Sequence, residues 1–298
     1  MQKGAAVQDQ EVRTENEYFV ALFDVLGFES QFASLQLADM LNKYEELISI
    51  VNLKNEEHKK YKEGKFHGAF WLKMEDEDGV QPIVIHEIGG AYASDSIIVW
   101  ANRRLLGVPI RVDTEQNGIT FQSPNVFSDS FLEVCSEIMC HAVEIGLPLR
   151  GGISTGNAVL EQSNSIYLGQ PIIDAARIER KHNFIGTSFH VNYDGQSKQR
   201  RYAIEYRKHI KEDSKNLLSG MVIDWPRHWR ETRSSSAIDA VNKINTDRNF
   251  SHYYENTVEF IRHSNNNQET MMESDPNIIF PDIHTKQLGL PVRLGKNG

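Results

Sequence analysis

Residues 147–182 read LPLRGGISTGNAVLEQSNSIYLGQPIIDAARIERKH. LPLRGGIS predicts a strand, TGNAVLE a second short strand after a glycine turn, and IYLG a return strand, each bounded by turn residues. PIIDAARIERKH predicts a helix with Pro171 in its first turn, where a missing N–H costs nothing. Strands that fold back on one another before a helix follows argue for an α+β chain with a mainly antiparallel sheet flanked by helices.

The flanking sequence extends this pattern in both directions. Upstream, YFVALFDVLGFES at residues 18–30 predicts a buried strand from Tyr18 to Leu26. LADMLNKYEELISIVN then places Leu37, Leu41, Tyr44, Ile48 and Val51 at spacings of three and four, an amphipathic helix that NEEHKKYKEGK continues as a charged face or a loop. EDEDG at residues 75–79 reads as a hairpin tip, since it lacks the spaced oxygen ligands of a calcium loop. VQPIVIHEI and SIIVWAN predict two more strands joined by GGAYASD. A helix capped by Ser123 and opened by Pro124 carries Phe127, Phe131, Val134, Ile138, Ala142 and Ile145 on one face, and Gly146 ends it. Beyond residue 187, FHVNY, RYAIEYR and MVIDW predict strands, while AIDAVNKI and YYENTVEFI predict short helices. From Asn265 on the chain is polar or punctuated by proline.

Composition narrows the function. A chain of 298 residues with 40% hydrophobic content builds a real core. Its formal charge of -9 argues against a nucleic-acid backbone as a partner. No run reaches membrane-spanning length and residues 1–17 hold no apolar segment, so the expectation is a soluble, cytoplasmic protein with a flexible N-terminus. Cys135 and Cys140, five positions apart, read as small core residues. His182, His190, His209, His228 and His263 fall at no metal-binding spacing.

Two carboxylates stand out. Asp24 lies inside an apolar strand, where an unpaired charge costs several kcal/mol. Read alone it is a strand-end cap for the next helix or a cation ligand. Asp95, in YASDSIIVW, repeats the pattern at the mouth of another strand. Two such aspartates on neighbouring strands suit two divalent cations, as in phosphoryl and nucleotidyl transfer, although two structural caps remain the alternative. Gly27 permits a tight turn, so the amides of Gly27, Phe28 and Glu29 at a helix start are candidate triphosphate contacts.

FDVLGF with Asp24, SDS with Asp95, RGGISTG from Arg150, and YLGQPIIDAARIE resemble, in that order, the four core motifs of class III nucleotidyl cyclases. The resemblance covers residues 18–190 and implies a ferredoxin-like catalytic domain over that span, with residues 191–298 adding strands, helices and a polar tail. It further implies metal binding by Asp24 and Asp95, transition-state stabilisation by Arg177, and an active site between two protomers of a homodimer. Two divalent cations, Mn²⁺ or Mg²⁺, are the implied cofactors. The positions that read a purine in this family fall here on Ala91 and Tyr92 and on Ile166, so neither purine code is present. The family's ribose-contacting Asn falls near Ile173 or Asp174, of which only Asp174 offers a similar group. An aromatic at Tyr92 shrinks the base pocket. The set looks most like the pyrimidine cyclases of bacterial Pycsar antiphage systems, which make cyclic UMP or cyclic CMP as a signal read by a separate effector protein.

The implied reaction cyclises UTP, or CTP, and releases pyrophosphate. Arg150 is a phosphate clamp or a strand-end surface residue, and Tyr92 a base selector or a packing aromatic. A catalytically silent nucleotide-binding sensor or dimeric interaction module, and a two-metal phosphohydrolase, are the competing readings.

Overall fold

The structure, a computed structural model, describes residues 16–62, 71–76, 79–82, 88–103, 109–113, 119–122, 126–193, 202–214, 216–245 and 248–272. In chain order the elements are β1 (Asn16–Val25), α1 (Phe28–Ser34), α2 (Leu37–Lys62), β2 (Trp71–Asp76), β3 (Gly79–Pro82), β4 (Gly89–Ala93), β5 (Ser96–Asn102), β6 (Pro109–Asp113) and β7 (Ile119–Gln122). There follow α3 (Val126–Glu144), β8 (Leu149–Glu161), β9 (Ile166–Gly169), α4 (Gln170–Glu179), β10 (Thr187–His190), β11 (Ala203–Glu205), β12 (Leu218–Ile223), α5 (Trp225–Thr232), α6 (Ala237–Ile244) and α7 (Ser251–Met272).

The principal sheet runs β11-β12-β10-β8-β1-β5-β4, with β9 paired to β8. The part ending at the β4 edge, β8-β1-β5-β4, is the fourth, first, third and second strand of a βαββαβ unit, the ferredoxin-like order within an α+β fold. All pairings in this sheet are antiparallel except β8 with β10, which α4 connects as a crossover. A second sheet, β3-β2-β6-β7, comes from the segments between α2 and β4 and between β5 and α3.

Alternation along β1 assigns the two faces. Phe19, Ala21, Phe23 and Val25 join Ile97, Val99 and Ile153 in the core beneath α2 and α3. Opposite them, Val20, Leu22 and Asp24 share the other face with Ser154, Gly152 and Arg150, their register partners on β8. Helix α4 lies on that second face. A Cβ at Gly152 would stand 2.2 Å from the Ala175 carbonyl oxygen, so a glycine there is what lets helix and strand approach.

Several sequence expectations change. GGAYASD is no simple connector, because Gly89–Ala93 forms β4 against β5; Gly89 leaves room for the Trp100 ring, 2.0 Å from where a Cβ would sit. RGGISTGNAVLE is one continuous strand rather than two, since Gly156 stays extended opposite Tyr18 and gives Pro171 space instead of making a turn. The buried stripe of α2 is Met40, Tyr44, Leu47 and Val51, while Leu37 and Leu41 are exposed. FHVNY contributes only its first two residues to β10, and YYENTVEFI belongs to a helix of 22 residues. Helix α5 was not expected, although Asp224 caps it and Pro226 occupies its first turn. The Ser123–Pro124 helix start and residues 83–87 of VQPIVIHEI lie outside the described residues. Both cysteines are buried and free, as expected of core residues. Among the described residues no helix is long and apolar enough to cross a membrane.

Candidate active site

Asp24 is the penultimate residue of β1, facing Ser96 of β5 on one side and Arg150 of β8 on the other. Asp95 sits in the β4–β5 turn, where Ser94 takes a φ of 56° and the Val25 N–H donates to the Asp95 carbonyl at 3.1 Å. The two aspartates therefore open on one mouth. Tyr44, from α2, registers both: its hydroxyl is pushed up by burial and further by the negative charge of Asp95 and Asp24. That hydroxyl is buried without a hydrogen-bond partner.

The donor set at this mouth fits a particular kind of ion. Asp24 and Asp95 offer hard carboxylate oxygens, and no cluster of three or more His, Cys, Asp or Glu suited to a metal occurs among the described residues. Such a pair suits a magnesium- or manganese-like cation whose other positions go to phosphate oxygens and water. It does not suit a closed structural zinc site.

Arg150 is not a surface residue. Its side chain is 15% exposed, and Nη2 donates to Asp24 Oδ2 at 2.8 Å while lying 2.7 Å from Glu179 Oε1. Glu179, the last residue of α4, is 2% exposed. Burial pushes its carboxyl well above the ordinary range; Arg150 opposes the rise and Asp24 adds to it. Arg150 is pushed up as well: burial works against its charge, but Glu179 and Asp24 outweigh that cost and hold the guanidinium protonated. Sequence reasoning passed over Glu179, yet a helical-wheel reading finds it, because it shares the buried stripe of Pro171, Ala175 and Ile178.

The other half of the candidate set points elsewhere. Arg177 and Glu179 are two positions apart, about 200° around the helix, so when Glu179 faces Asp24 the Arg177 side chain faces away. Arg177 is 60% exposed and donates to Asp174 Oδ1 at 3.4 Å. Asp174 itself is 4% exposed and accepts from Gln170 Nε2 at 2.8 Å. Ile173, one turn before Arg177, is exposed on the same face. Buried His190 of β10 completes this corner, its imidazole held below the ordinary value by burial, with Asp174 opposing and Arg177 adding.

Tyr92 of β4 is exposed and packs on Tyr44, ring centroids 5.5 Å apart, which places it by Asp95. Ile166 lies far off, pairing with Glu161, eleven residues along β8 from Arg150 and roughly 35 Å away if the strand ran straight. Within one chain the structure thus groups Asp24, Asp95, Arg150 and Tyr92, and leaves Arg177, Asp174 and Ile166 outside that group. Gly27 adopts a left-handed φ of 71° just before α1, and Phe28 and Glu29 open that helix. The Phe250 ring packs against Gly27, only 3.0 Å from where a Cβ would stand.

Comparison with known proteins adds the following. No protein-family model matches the chain, and no curated protein matches it. Among solved structures, two chains of a bacterial light-regulated adenylyl cyclase align at 11% identity. The first alignment covers 78% of this chain and 57% of the other, with a TM-score of 0.41; this chain thus spans little more than half of that protein's length. The second covers 73% and 95%, with a TM-score of 0.40.

Proposed function

We propose that this protein is a nucleotide cyclase acting as a homodimer, converting UTP, or alternatively CTP, into the 3',5'-cyclic monophosphate and pyrophosphate. The observation that carries the proposal is the division of the candidate residues. Asp24 and Asp95 share one mouth, while Arg177 stands on the opposite side of α4, exposed and aimed outward. Two such halves are complementary across a twofold axis.

In the reaction the ribose 3'-oxygen attacks the α-phosphorus, the bond to the β-phosphate bridging oxygen breaks, and the 3'-hydroxyl proton leaves to solvent. Asp24 and Asp95 would hold the two divalent cations, whose chemistry would be to acidify the 3'-hydroxyl and draw charge from the triphosphate. Arg150, already at the mouth, clamps the triphosphate oxygens of the bound substrate. Arg177 from the second protomer meets charge that develops on the α-phosphoryl oxygens. Tyr92 beside Asp95 narrows the base pocket toward a pyrimidine, with Ile166 and Asp174 brought in from the other protomer. The product serves as an antiphage second messenger for a separate effector, in the cytoplasm.

A silent nucleotide-binding module is the second reading. What favours it is the Asp24–Arg150 ion pair, which compensates Asp24 from within the fold. Incubating the purified protein with each of the four NTPs and Mn²⁺, with products identified by mass spectrometry, separates the two. Cyclic UMP or cyclic CMP supports the cyclase. A purine product overturns the base assignment, and no cyclic product from any NTP overturns the enzyme.

A further inference from the structure

Arg150 is held by a residue far outside the motif-bearing segment. Its Nη1 donates to the Tyr253 hydroxyl at 3.2 Å, and the guanidinium lies over the Tyr253 ring, 5.5 Å from the centroid. Tyr253 belongs to α7, which the core fixes independently of Arg150. Asn256 Nδ2 donates to the Asn183 carbonyl at 2.7 Å, and Thr257 Oγ1 accepts from the Ile185 N–H at 2.8 Å. Farther along, Phe260 packs on Phe184 and Tyr206. At its N-terminal end the same region meets Gly27 through Phe250, so it touches both sides of the mouth that holds Asp24.

The tether has a job because Nη2 alone does not fix the guanidinium. Nη2 is shared between two carboxylates, Asp24 and Glu179, and Nε is buried without a hydrogen-bond partner. A fork held only through Nη2 pivots about that atom. Tyr253 removes the pivot twice, by accepting from Nη1 and by covering one face of the plane. When Asp24 oxygens are drawn to a cation, Glu179 and Tyr253 remain as the groups keeping Arg150 at the mouth.

We propose that Tyr253 is a positioning residue for Arg150, making the C-terminal helix α7 a part of the triphosphate clamp. The proposal rests on the cyclase reading for the substrate and for the role of Arg150 on its triphosphate, and on the geometry for the contact between Tyr253 and Arg150.

The test uses the full-length protein and three variants. Tyr253→Phe keeps the ring and loses the hydroxyl; Tyr253→Leu loses both. Val143→Ala opens a small cavity in the core on α3, away from Tyr253 and Arg150. Because Tyr253 acts through Arg150, which keeps its carboxylate partners, only part of the lost hydrogen bond reaches the substrate, and KM for the Mn²⁺–UTP complex rises about three- to ten-fold in Tyr253→Phe, with kcat within about two-fold. Tyr253→Leu shows a larger rise, and Val143→Ala lowers Tm with KM unchanged. Calorimetric binding of 3'-deoxy-UTP with Mn²⁺, which cannot cyclise, weakens by the same factor in the Tyr253 variants. If Tyr253→Phe binds and turns over as wild type, or changes no more than the equally destabilised Val143→Ala does, the positioning role is refuted. If wild type makes no cyclic product yet Tyr253→Phe still weakens 3'-deoxy-UTP binding, the clamp stands and the cyclase reading falls. If wild type neither cyclises nor binds, both fall.

Discussion

Gly152→Ala is a substitution the fold tolerates poorly for its size. The added methyl would stand 2.2 Å from the Ala175 carbonyl oxygen, 2.5 Å from Ile178 Cγ1 and 2.9 Å from the Ala175 carbonyl carbon. Two of these atoms are helix backbone, so no rotamer change relieves them, and α4 must recede by about 1 Å to restore ordinary contact. Overpacking of this kind costs up to about 3 kcal/mol, a fall in Tm of roughly 5–10 °C for a chain of this size. Because α4 carries Glu179 and Arg177, the shift also loosens the Arg150 contacts. Gly156→Ala, four residues along the same strand, is the control. Its methyl would meet nothing closer than Pro171 Cδ at 3.4 Å, so its stability stays within about 1 kcal/mol of wild type, with a small gain available from the unfolded chain. Urea unfolding followed by tryptophan fluorescence measures both. Equal midpoints for the two variants would refute the placement of α4 on β8.

Asp24→Ala and Asp95→Ala should each abolish cyclisation and leave circular dichroism unchanged, since each removes a proposed ligand and no core packing; turnover in either sinks the two-cation assignment. Arg177→Ala should lower kcat by roughly 10²–10³ with little change in KM, and Arg177→Lys should restore little, because an ammonium lacks the planar fork. The Glu137 cluster supplies a pH dependence. Burial raises the Glu137 carboxyl, but hydrogen bonds from His228 and Arg233, the latter at 2.5–2.6 Å, outweigh it and bring it down from 4.5 to about 2. A carboxyl lowered on folding stabilises the fold above its unfolded pKa. That contribution, about 3 kcal/mol at most, is lost as pH falls from about 4.5 toward about 2. In Glu137→Gln the acid-limb slope of urea midpoints should flatten; an unchanged slope would show that other groups govern it.

Much of the fold was legible because its strongest signals are local. The apolar run that carries Asp24, the Pro171 helix start and the 3.6-residue period of α3 each specify an element without tertiary help. Glycines misled where they serve packing. Gly89 and Gly156 look like turn residues, yet they lie in strands that accommodate Trp100 and Pro171. The candidate site divided in the same way. Asp24 and Asp95 announce themselves as charges where apolar residues belong, whereas Tyr253 is 103 residues from Arg150 and looks like any helix aromatic. A buried Arg with three partners has no sequence signature, since two of those partners come from elements that only the folded chain brings together.

The central claim is that one protomer holds Asp24 and Asp95 while its partner supplies Arg177, and subunit complementation tests it most directly. Asp24→Ala should be inactive alone, and Arg177→Ala should keep no more than about a hundredth of wild-type activity. Mixed and allowed to exchange, they form heterodimers in which one interface has lost both groups and the other retains both. Such heterodimers should show about half of wild-type activity if the two sites act independently. No recovered activity, with exchange demonstrated by differently tagged subunits, would contradict a shared site and place Asp24 and Arg177 in separate roles within one chain.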